Sequence, residues 1–485
     1  MRKAAGSASS RRSLLILLPN TWPYGAGENF LGDELPYLQE EFERTVVFPV
    51  NPLNVSTPLT GSVPEGVMIY PLFETGQGVT SSKPKLALRG LKNFRLPEVK
   101  RELDEHASGL KKRGILAYFE GKAEQSFRHI IQELDDIQLV SGFTDSLQEG
   151  EHLRIVIYSY WYFVSARVAV RLRTAIEERL ADTLPHGVTA EVLAVSRGHG
   201  YDLNESVNPG GYLPYRSCLP EVLDQSYPIS VSGMRTLQAQ APQAAEKISF
   251  ARLGTGDDPR AKAAVTAYSS SETFHFVSCA WISPVKRLDL LVEALSRLND
   301  VLASRGQKTA WHWTHLGGGP DLRKLMVLAE EKLPEGSYTI SGELKPSDIK
   351  DYYATHPCDL FCNVSSSEGV PVSVMEAFCF GIPALATDVG GTGEIVQPGI
   401  SGHLLPPDPD ANLIARRLAE ATLRDAATRH NMRLSTRRLW EELCDAEKNY
   451  RTFAQMLGGK LPLNGTVPPS GGSEDLHGRQ PARGG

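Results

Sequence analysis

The chain has 485 residues, 41% hydrophobic and 22% charged, with 51 basic and 57 acidic side chains for a net charge of −6. That length holds two to four domains at about 100–200 residues apiece. The composition excludes a disordered, collagenous or fibrous chain, and the negative balance argues against coating nucleic acid.

Arg2, Lys3, Arg11 and Arg12 precede a short apolar run, Leu14–Leu18, which Pro19-Asn20 ends. This reads as a first β-strand behind a disordered basic tail of residues 1–13 rather than as an export signal. No apolar run approaches the ~20 residues that cross a bilayer. Further strand-like runs follow at Thr45–Val50, Val67–Leu72, Leu153–Tyr158, Ala190–Val195 and Tyr227–Val231. Helical patterns over Gly32–Glu41, Arg101–Asp136 and Phe163–Leu180 separate several of them. Strands alternating with helices predict a parallel sheet covered on both faces.

Gln238–Asp258 changes character, with Gln and Ala followed by Gly254 and Gly256. A first domain over 14–247 and a linker over 248–257 are expected. The alternation then restarts over 258–439. Strands are predicted at Phe274–Ala280, Trp311–Leu316, Tyr338–Ser341, Leu360–Asn363, Ala384–Thr387 and Gly402–Leu405, with helices at Val285–Leu298 and Asp321–Lys332. A second doubly wound unit follows. Residues 440–457 read as a last amphipathic helix, and the Gly-, Pro- and Ser-rich 458–485 as a disordered tail.

The six cysteines (218, 279, 358, 362, 379 and 444) contain no CxxC pair. Cys358 and Cys362 lack a second pair to complete a zinc site, so reduced, mostly buried thiols in a cytoplasmic protein are expected. Charge is uneven. Lys83–Arg113 holds ten basic and four acidic residues, an excess of +6. It is either a solvated surface or a patch for an anionic membrane face or a phosphate-bearing acceptor.

Chemistry concentrates in Ser366–Phe378, which follows the strand Leu360–Asn363 and opens a helix. Pro371 suits a first helical turn, and Gly369 lets the backbone approach a ligand. The N–H groups from Gly369 through Val370 and Val372 to Ser373 then lack intrahelical partners and, with the helix dipole, suit a phosphate. Glu368 lies in the loop at the strand's carboxyl end, and Glu376 one turn beyond Val372. Carboxylates repel a diphosphate, so both suit sugar hydroxyls better. A retaining glycosidase would need its pair about 5–5.5 Å apart, which this spacing does not obviously give.

Glu-x7-Glu alone is weak. The whole string is specific: Glu368-Gly369-Val370-Pro371, Glu376-Ala377-Phe378, Gly381-Ile382-Pro383, Ala386-Thr387-Asp388, Gly390-Gly391 and Glu394-Ile395-Val396 run in order. It resembles the nucleotide-sugar half of the family 4 retaining glycosyltransferases, which have the GT-B fold of two Rossmann-like domains facing a cleft. The resemblance implies that Glu368 contacts the transferred sugar and Glu376 the ribose. Lys286-Arg287, after Pro284, is similar to the family's basic helix start, so Lys286 is expected at the diphosphate. Leu316-Gly317-Gly318-Gly319-Pro320 resembles its glycine loop near the nucleotide. Trp281 stands where the family often has arginine, so a second cation, such as Arg287, is needed or the helix dipole carries more.

In the first half, Tyr24-Gly25-Ala26-Gly27-Glu28-Asn29 follows the first strand, and Gly25 and Gly27 allow close approach to a diphosphate. Ser196–Leu203 is similar to a motif of bacterial surface-polysaccharide members. His199, between glycines at a strand end, is placed to donate to a sugar hydroxyl. Asp202 either orients that imidazole or shapes a turn, and Arg197 could pair with a phosphate. His315, Asp359 and Cys362 read as core or strand-end residues.

The expectation is a cytoplasmic, metal-independent enzyme without a cofactor, possessing a nucleotide-diphosphate sugar as co-substrate and a saccharide or lipid-linked acceptor. Peripheral contact with the inner membrane face through Lys83–Arg113 is included, and nucleic acid is not a partner. A sugar-nucleotide epimerase or hydrolase, a phosphorylase carrying pyridoxal on a lysine, and a non-catalytic nucleotide-sugar-binding protein are the alternatives.

Overall fold

The computed structural model describes residues 11–25, 28–74, 79–205, 208, 210–267 and 273–465. Within them lie two six-stranded parallel sheets. The first comprises β1 (Arg11–Leu18), β2 (Arg44–Val47), β3 (Val67–Ile69), β4 (His152–Ser159), β5 (Thr189–Gly198) and β6 (Gln225–Pro228), ordered β3-β2-β1-β4-β5-β6. The second comprises β7 (Thr273–Cys279), β8 (Ala310–Leu316), β9 (Tyr338–Ile340), β10 (Leu360–Asn363), β11 (Ala384–Thr387) and β12 (Gly402–Leu405), ordered β12-β11-β10-β7-β8-β9. Both follow one winding scheme, in which strand order reverses once, between β1 and β4 and between β7 and β10. Leu14–Leu18 is an unbroken apolar run because both faces of β1 are covered, and none of its side chains reaches solvent.

Several expectations change. β1 begins at Arg11, so Arg11–Ser13 belong to the sheet rather than the tail, whose residues 1–10 lie outside the described residues. The long helix expected over 101–136 is two, Pro97–Glu105 and Leu110–Asp136, separated where Gly109 adopts φ +88°. The helix expected over 440–457 breaks at Cys444. Ala426–Leu443 ends there, and Asp445 starts Ala446–Leu457 by accepting a bond from Glu447 N at 2.9 Å. Residues 458–465 of the expected tail are packed: the Leu463 carbonyl accepts from Tyr227 Oη at 2.8 Å, and Lys460 pairs with Glu41. Residues 466–485 lie outside the described residues.

The stretch expected as a linker is pinned along its length. Ser249 N donates to Ser226 O at 3.1 Å, Ala251 N to Pro228 O at 2.9 Å and Thr255 N to Cys444 O at 2.8 Å. Its small residues fit against a neighbouring backbone; a Cβ on Gly254 would stand 2.4 Å from Ala446 Cα. The helix Ala446–Leu457 then lies on the first sheet, where the Phe453 ring is 5.0 Å from that of Tyr227 and 5.5 Å from that of Tyr158.

The basic segment forms the helix Lys83–Leu91, a short 3-10 turn and the helix Pro97–Glu105. Lys83–Leu91 is pressed onto Leu110–Asp136 through Gly90 and Gly121, where an added Cβ would come within 1.8 Å of the opposite backbone. Its outer side exposes Leu88 (68%), Leu91 (49%) and neighbouring Lys85 and Lys92, while Leu110 is 90% exposed at the next helix start. No helix among the described residues is long and apolar enough to cross a membrane.

Candidate active site

In sheets of this order the carboxyl ends of the strands at the reversal point form a crevice. In the second sheet those strands are β7 and β10. After β7 the chain makes the short turn Pro284–Lys286, and Arg287 adopts the left-handed conformation at φ +47° before the helix Leu288–Ser296. After β10 it runs through Val364–Glu368. Ser366 N donates to Val285 O at 2.8 Å and joins the two loops. Lys286 Nζ therefore meets Glu368 Oε1 at 2.8 Å, and Asn363 Nδ2 donates to the same oxygen at 3.2 Å. Lys286 and Glu368 are brought together, with side chains 26% and 11% exposed.

The helix Val372–Cys379 opens beside this pair. Val374 donates the first bond, to Pro371 O, so the N–H groups of Val372 and Ser373 precede the intrahelical ladder. Val370 is buried by its side chain and offers only its backbone. Glu376 lies deeper on the same helix. Burial pushes its carboxyl up to about 7, against a smaller opposing pull from Lys350 and with a further push from Asp33 of the first domain. Ser278, Cys279, Asn363, Lys286, Glu368 and Ser373 line a narrow crevice here.

The glycine loop after β8 shapes this mouth through its backbone. Ile282 N donates to Gly318 O at 2.7 Å, and a Cβ on Gly319 (φ +150°) would lie 2.5 Å from Ile282 N. Gly318 faces Glu343 as closely as 3.1 Å by the same measure. Trp281 is 59% exposed beside them.

The first domain faces this crevice with the ends of β1, β4 and β5. A Cβ on Gly369 would stand 2.2 Å from His199 O, and one on Gly200 2.9 Å from Gly369 Cα, so the two loops touch backbone to backbone. His199 is thus brought to the Glu368–Gly369 loop. Its imidazole is 5% exposed, among the rings of Trp161 (4.4 Å), Tyr160 (4.9 Å) and Phe30 (5.9 Å). Burial lowers its pKa, only partly offset by Asp202. Neither ring nitrogen has a hydrogen-bond partner. Orphaned buried polar atoms cost about 1–3 kcal/mol each, a cost that a ligand hydroxyl at this ring would relieve. Glu394 joins the domains nearby, accepting from Ser232 N at 3.0 Å and from Arg252 Nη2 at 2.8 Å.

Other candidates are employed elsewhere. Arg287 binds the loop backbone with its guanidinium: Nε donates to Val364 O at 2.6 Å, and Nη2 to Ser365 O and Pro407 O at 2.9 Å each. Three carbonyls that converge on one fork hold it there, so it splints loops and does not replace the cation missing at Trp281. Arg197 is wholly buried, pairs with Glu34 at 3.2 Å and lies 4.1 Å from the Phe453 ring centroid, out of reach of a phosphate in the crevice. Asp202 shapes the turn: its oxygens accept from His199 N (2.6 Å) and Tyr162 N (2.7 Å), while His199 Nδ1 is 3.9 Å away. Gly25 adopts φ +72°, and its carbonyl accepts from Thr60 Oγ1 at 2.5 Å. Gly27 lies outside the described residues. His315 and Cys362 are core residues, and Asp359 accepts from His275 N.

Sequence reasoning missed Asn363, Glu394 and Trp161. Only the position of Trp161, three residues past the β4 run, hinted at a role. It also quoted Glu28 within the first loop without giving it one.

Residues 267–438 match the family model of glycosyl transferases group 1. The chain is 31% identical over 250 residues to a putative colanic acid biosynthesis glycosyltransferase, WcaL, of Salmonella typhimurium, covering 49% of this chain and 59% of the relative. Its namesake in Escherichia coli K12 is 32% identical over 254 residues, covering 48% and 59%. The chain thus spans about three-fifths of the curated relatives it matches. The apo structure of the lipopolysaccharide outer core galactosyltransferase WaaB superposes with a TM-score of 0.56 at 12% identity, over 93% of this chain and 100% of that one. Its likeness extends to both domains of the two-domain, Rossmann-like GT-B fold. The domain that carries Lys286, Glu368 and Glu376 is thus the part of the chain that is similar to the glycosyl transferases group 1.

Proposed function

We propose that this protein is a retaining, metal-independent glycosyltransferase that moves a sugar from a nucleoside diphosphate to a saccharide or lipid-linked acceptor, in the assembly of a cell-surface polysaccharide or glycolipid. The observation that carries the reading is the Lys286–Glu368 pair at the β7–β10 crevice, facing His199 across the interdomain contact. Lys286 and the amides at the mouth of Val372–Cys379 meet the diphosphate and stabilise charge on the leaving group. Glu368 receives hydroxyls of the transferred sugar, His199 donates to another, and Glu376 takes the ribose. Domain contact excludes water and aligns donor with acceptor. Retention follows if the leaving phosphate oxygen removes the acceptor proton on the same face, with Glu368 not acting as nucleophile. The relatives named for colanic acid biosynthesis support the surface-polysaccharide setting.

The acceptor side includes a membrane. Leu88, Leu91 and Leu110 stand exposed among Lys85, Lys92, Arg95 and Lys111, a pattern that suits peripheral contact with an anionic inner leaflet of a cytoplasmic enzyme. Lys286→Ala and Glu368→Ala should each cut sugar transfer by orders of magnitude with melting unchanged. Near-normal transfer by either rejects the assignment. Donor consumption without any acceptor would favour an epimerase or hydrolase instead.

A further inference from the structure

The first domain has its own reversal point, between β1 and β4, and one side chain bridges it. Glu28 ends the loop after β1. Its Oε1 accepts from Asn20 N at 2.8 Å, and its Oε2 from Thr21 N at 2.7 Å, Trp22 N at 2.8 Å and Thr21 Oγ1 at 3.2 Å. Oε1 also accepts from Trp161 Nε1, in the loop after β4, at 2.5 Å. The residue is 5% exposed. Three successive main-chain N–H groups enclose the carboxylate and offset its burial. The role usual for an acidic residue at this place, capping its own helix, is not filled: Glu28 makes no side-chain cap bond to Asn29–Gln39.

Trp161 is held at its other end too, because its carbonyl accepts from Ser159 Oγ at 2.6 Å and Ser165 Oγ at 2.9 Å. Its ring is the nearest of the three around His199, and Phe30, another of them, lies two residues after Glu28. Asp202 is too far from Nδ1 for a hydrogen bond and spends its oxygens on backbone. The imidazole is therefore oriented by packing against walls that Glu28 fixes.

We propose that Glu28 is a positioning residue, whose carboxylate ties the two switch-point loops of the first domain together and, through Trp161, sets the ring of His199 for a hydroxyl of the bound sugar. This rests on the reading of His199 as a sugar contact. The charged groups facing the imidazole are Asp202 and Arg197 from its own strand and turn, and Glu28 from the opposite loop; Glu28 favours the protonated ring.

The test compares Glu28→Gln, Trp161→Phe, His199→Ala and the Glu28→Gln/His199→Ala double variant in the full chain. UDP-glucose, UDP-galactose and GDP-mannose serve as donors and a polyprenyl-diphosphate-linked saccharide as acceptor, with acceptor-dependent release of nucleoside diphosphate as readout. Glu28→Gln and Trp161→Phe should each lower kcat by about tenfold or more with donor KM little changed. The double variant should be no slower than His199→Ala, because Glu28 acts through that ring. The acid limb of the kcat–pH profile should move to lower pH in Glu28→Gln, since losing the neighbouring anion makes the imidazole harder to protonate. Losses that multiply in the double variant, or normal turnover in Glu28→Gln where His199→Ala is slow, overturn the proposal. If Glu28→Gln fails to fold, Trp161→Phe decides, because it breaks the indole bond to Glu28 and leaves the carboxylate's main-chain bonds in place; normal turnover there is likewise refutation. Normal turnover in His199→Ala sinks the reading of His199 itself, a separate result.

Discussion

Glutamine at position 376 should separate what this carboxylate costs the fold from what it gives the site. Burial raises the Glu376 carboxyl from 4.5 to about 7, with Lys350 opposing and Asp33 adding to the rise. A carboxyl that holds its proton more tightly when folded stabilises the protein fully below pH 4.5, and that stability is lost as pH rises through 7. At roughly 1.4 kcal/mol per tenfold change in proton affinity, the loss amounts to about 3 kcal/mol. Glutamine keeps the shape and has no proton to lose. Guanidinium unfolding of Glu376→Gln and the parent should therefore give similar stability near pH 4.5 and a variant more stable by about 1–3 kcal/mol at pH 8. The same variant should bind nucleoside diphosphate sugar more weakly at pH 8, since a ribose hydroxyl loses a charged acceptor. Parallel stability curves from pH 5 to 8 would refute the claim that this carboxylate is held at a cost. A gain in stability with unchanged donor affinity would remove Glu376 from the binding site.

Gly369→Ala sets a methyl 2.2 Å from His199 O, so the loops must part; turnover should fall by about a hundredfold, and a normal rate would show that the domains need not touch for catalysis. Arg287→Ala releases the carbonyls of residues 364, 365 and 407 and should cost about 2–3 kcal/mol in unfolding experiments. An unchanged midpoint with weakened donor binding would return Arg287 to the phosphate. Replacing Lys85, Lys92 and Arg95 with glutamate should abolish co-sedimentation with phosphatidylglycerol vesicles at low salt, and failure of the parent to bind them would end the membrane proposal.

The strands were legible because buried parallel strands are continuous apolar runs, as at Leu14–Leu18 and Leu360–Asn363. Boundaries failed where a local backbone feature outweighed composition. Gly109 and Asp445 each divide a continuous helical pattern, and 248–257, with Gly254 and Gly256, looks loose in sequence but is bonded to its neighbours, with Gly254 pressed against the Ala446 backbone. Lys286 and Glu368 were legible as motifs, 82 positions apart, and the topology supplied their contact. Arg287 and Arg197 were not, because sequence shows that a guanidinium is present but not which carbonyls or carboxylates claim it. Trp161 showed no more than its place past the β4 run, for a related reason: its meaning lies in what Glu28 and His199 do around it.

The chain crosses between its two sheets twice, outward along 249–257 and back along 440–446, and the crossings are bonded side by side at Thr255 and Asp445. A single cleavage in either crossing would leave the halves tethered by the other. Two parallel tethers restrain twisting more than bending, so separation of the lobes should follow one swinging axis through this seam. Limited proteolysis at one crossing should therefore nick the molecule without parting it.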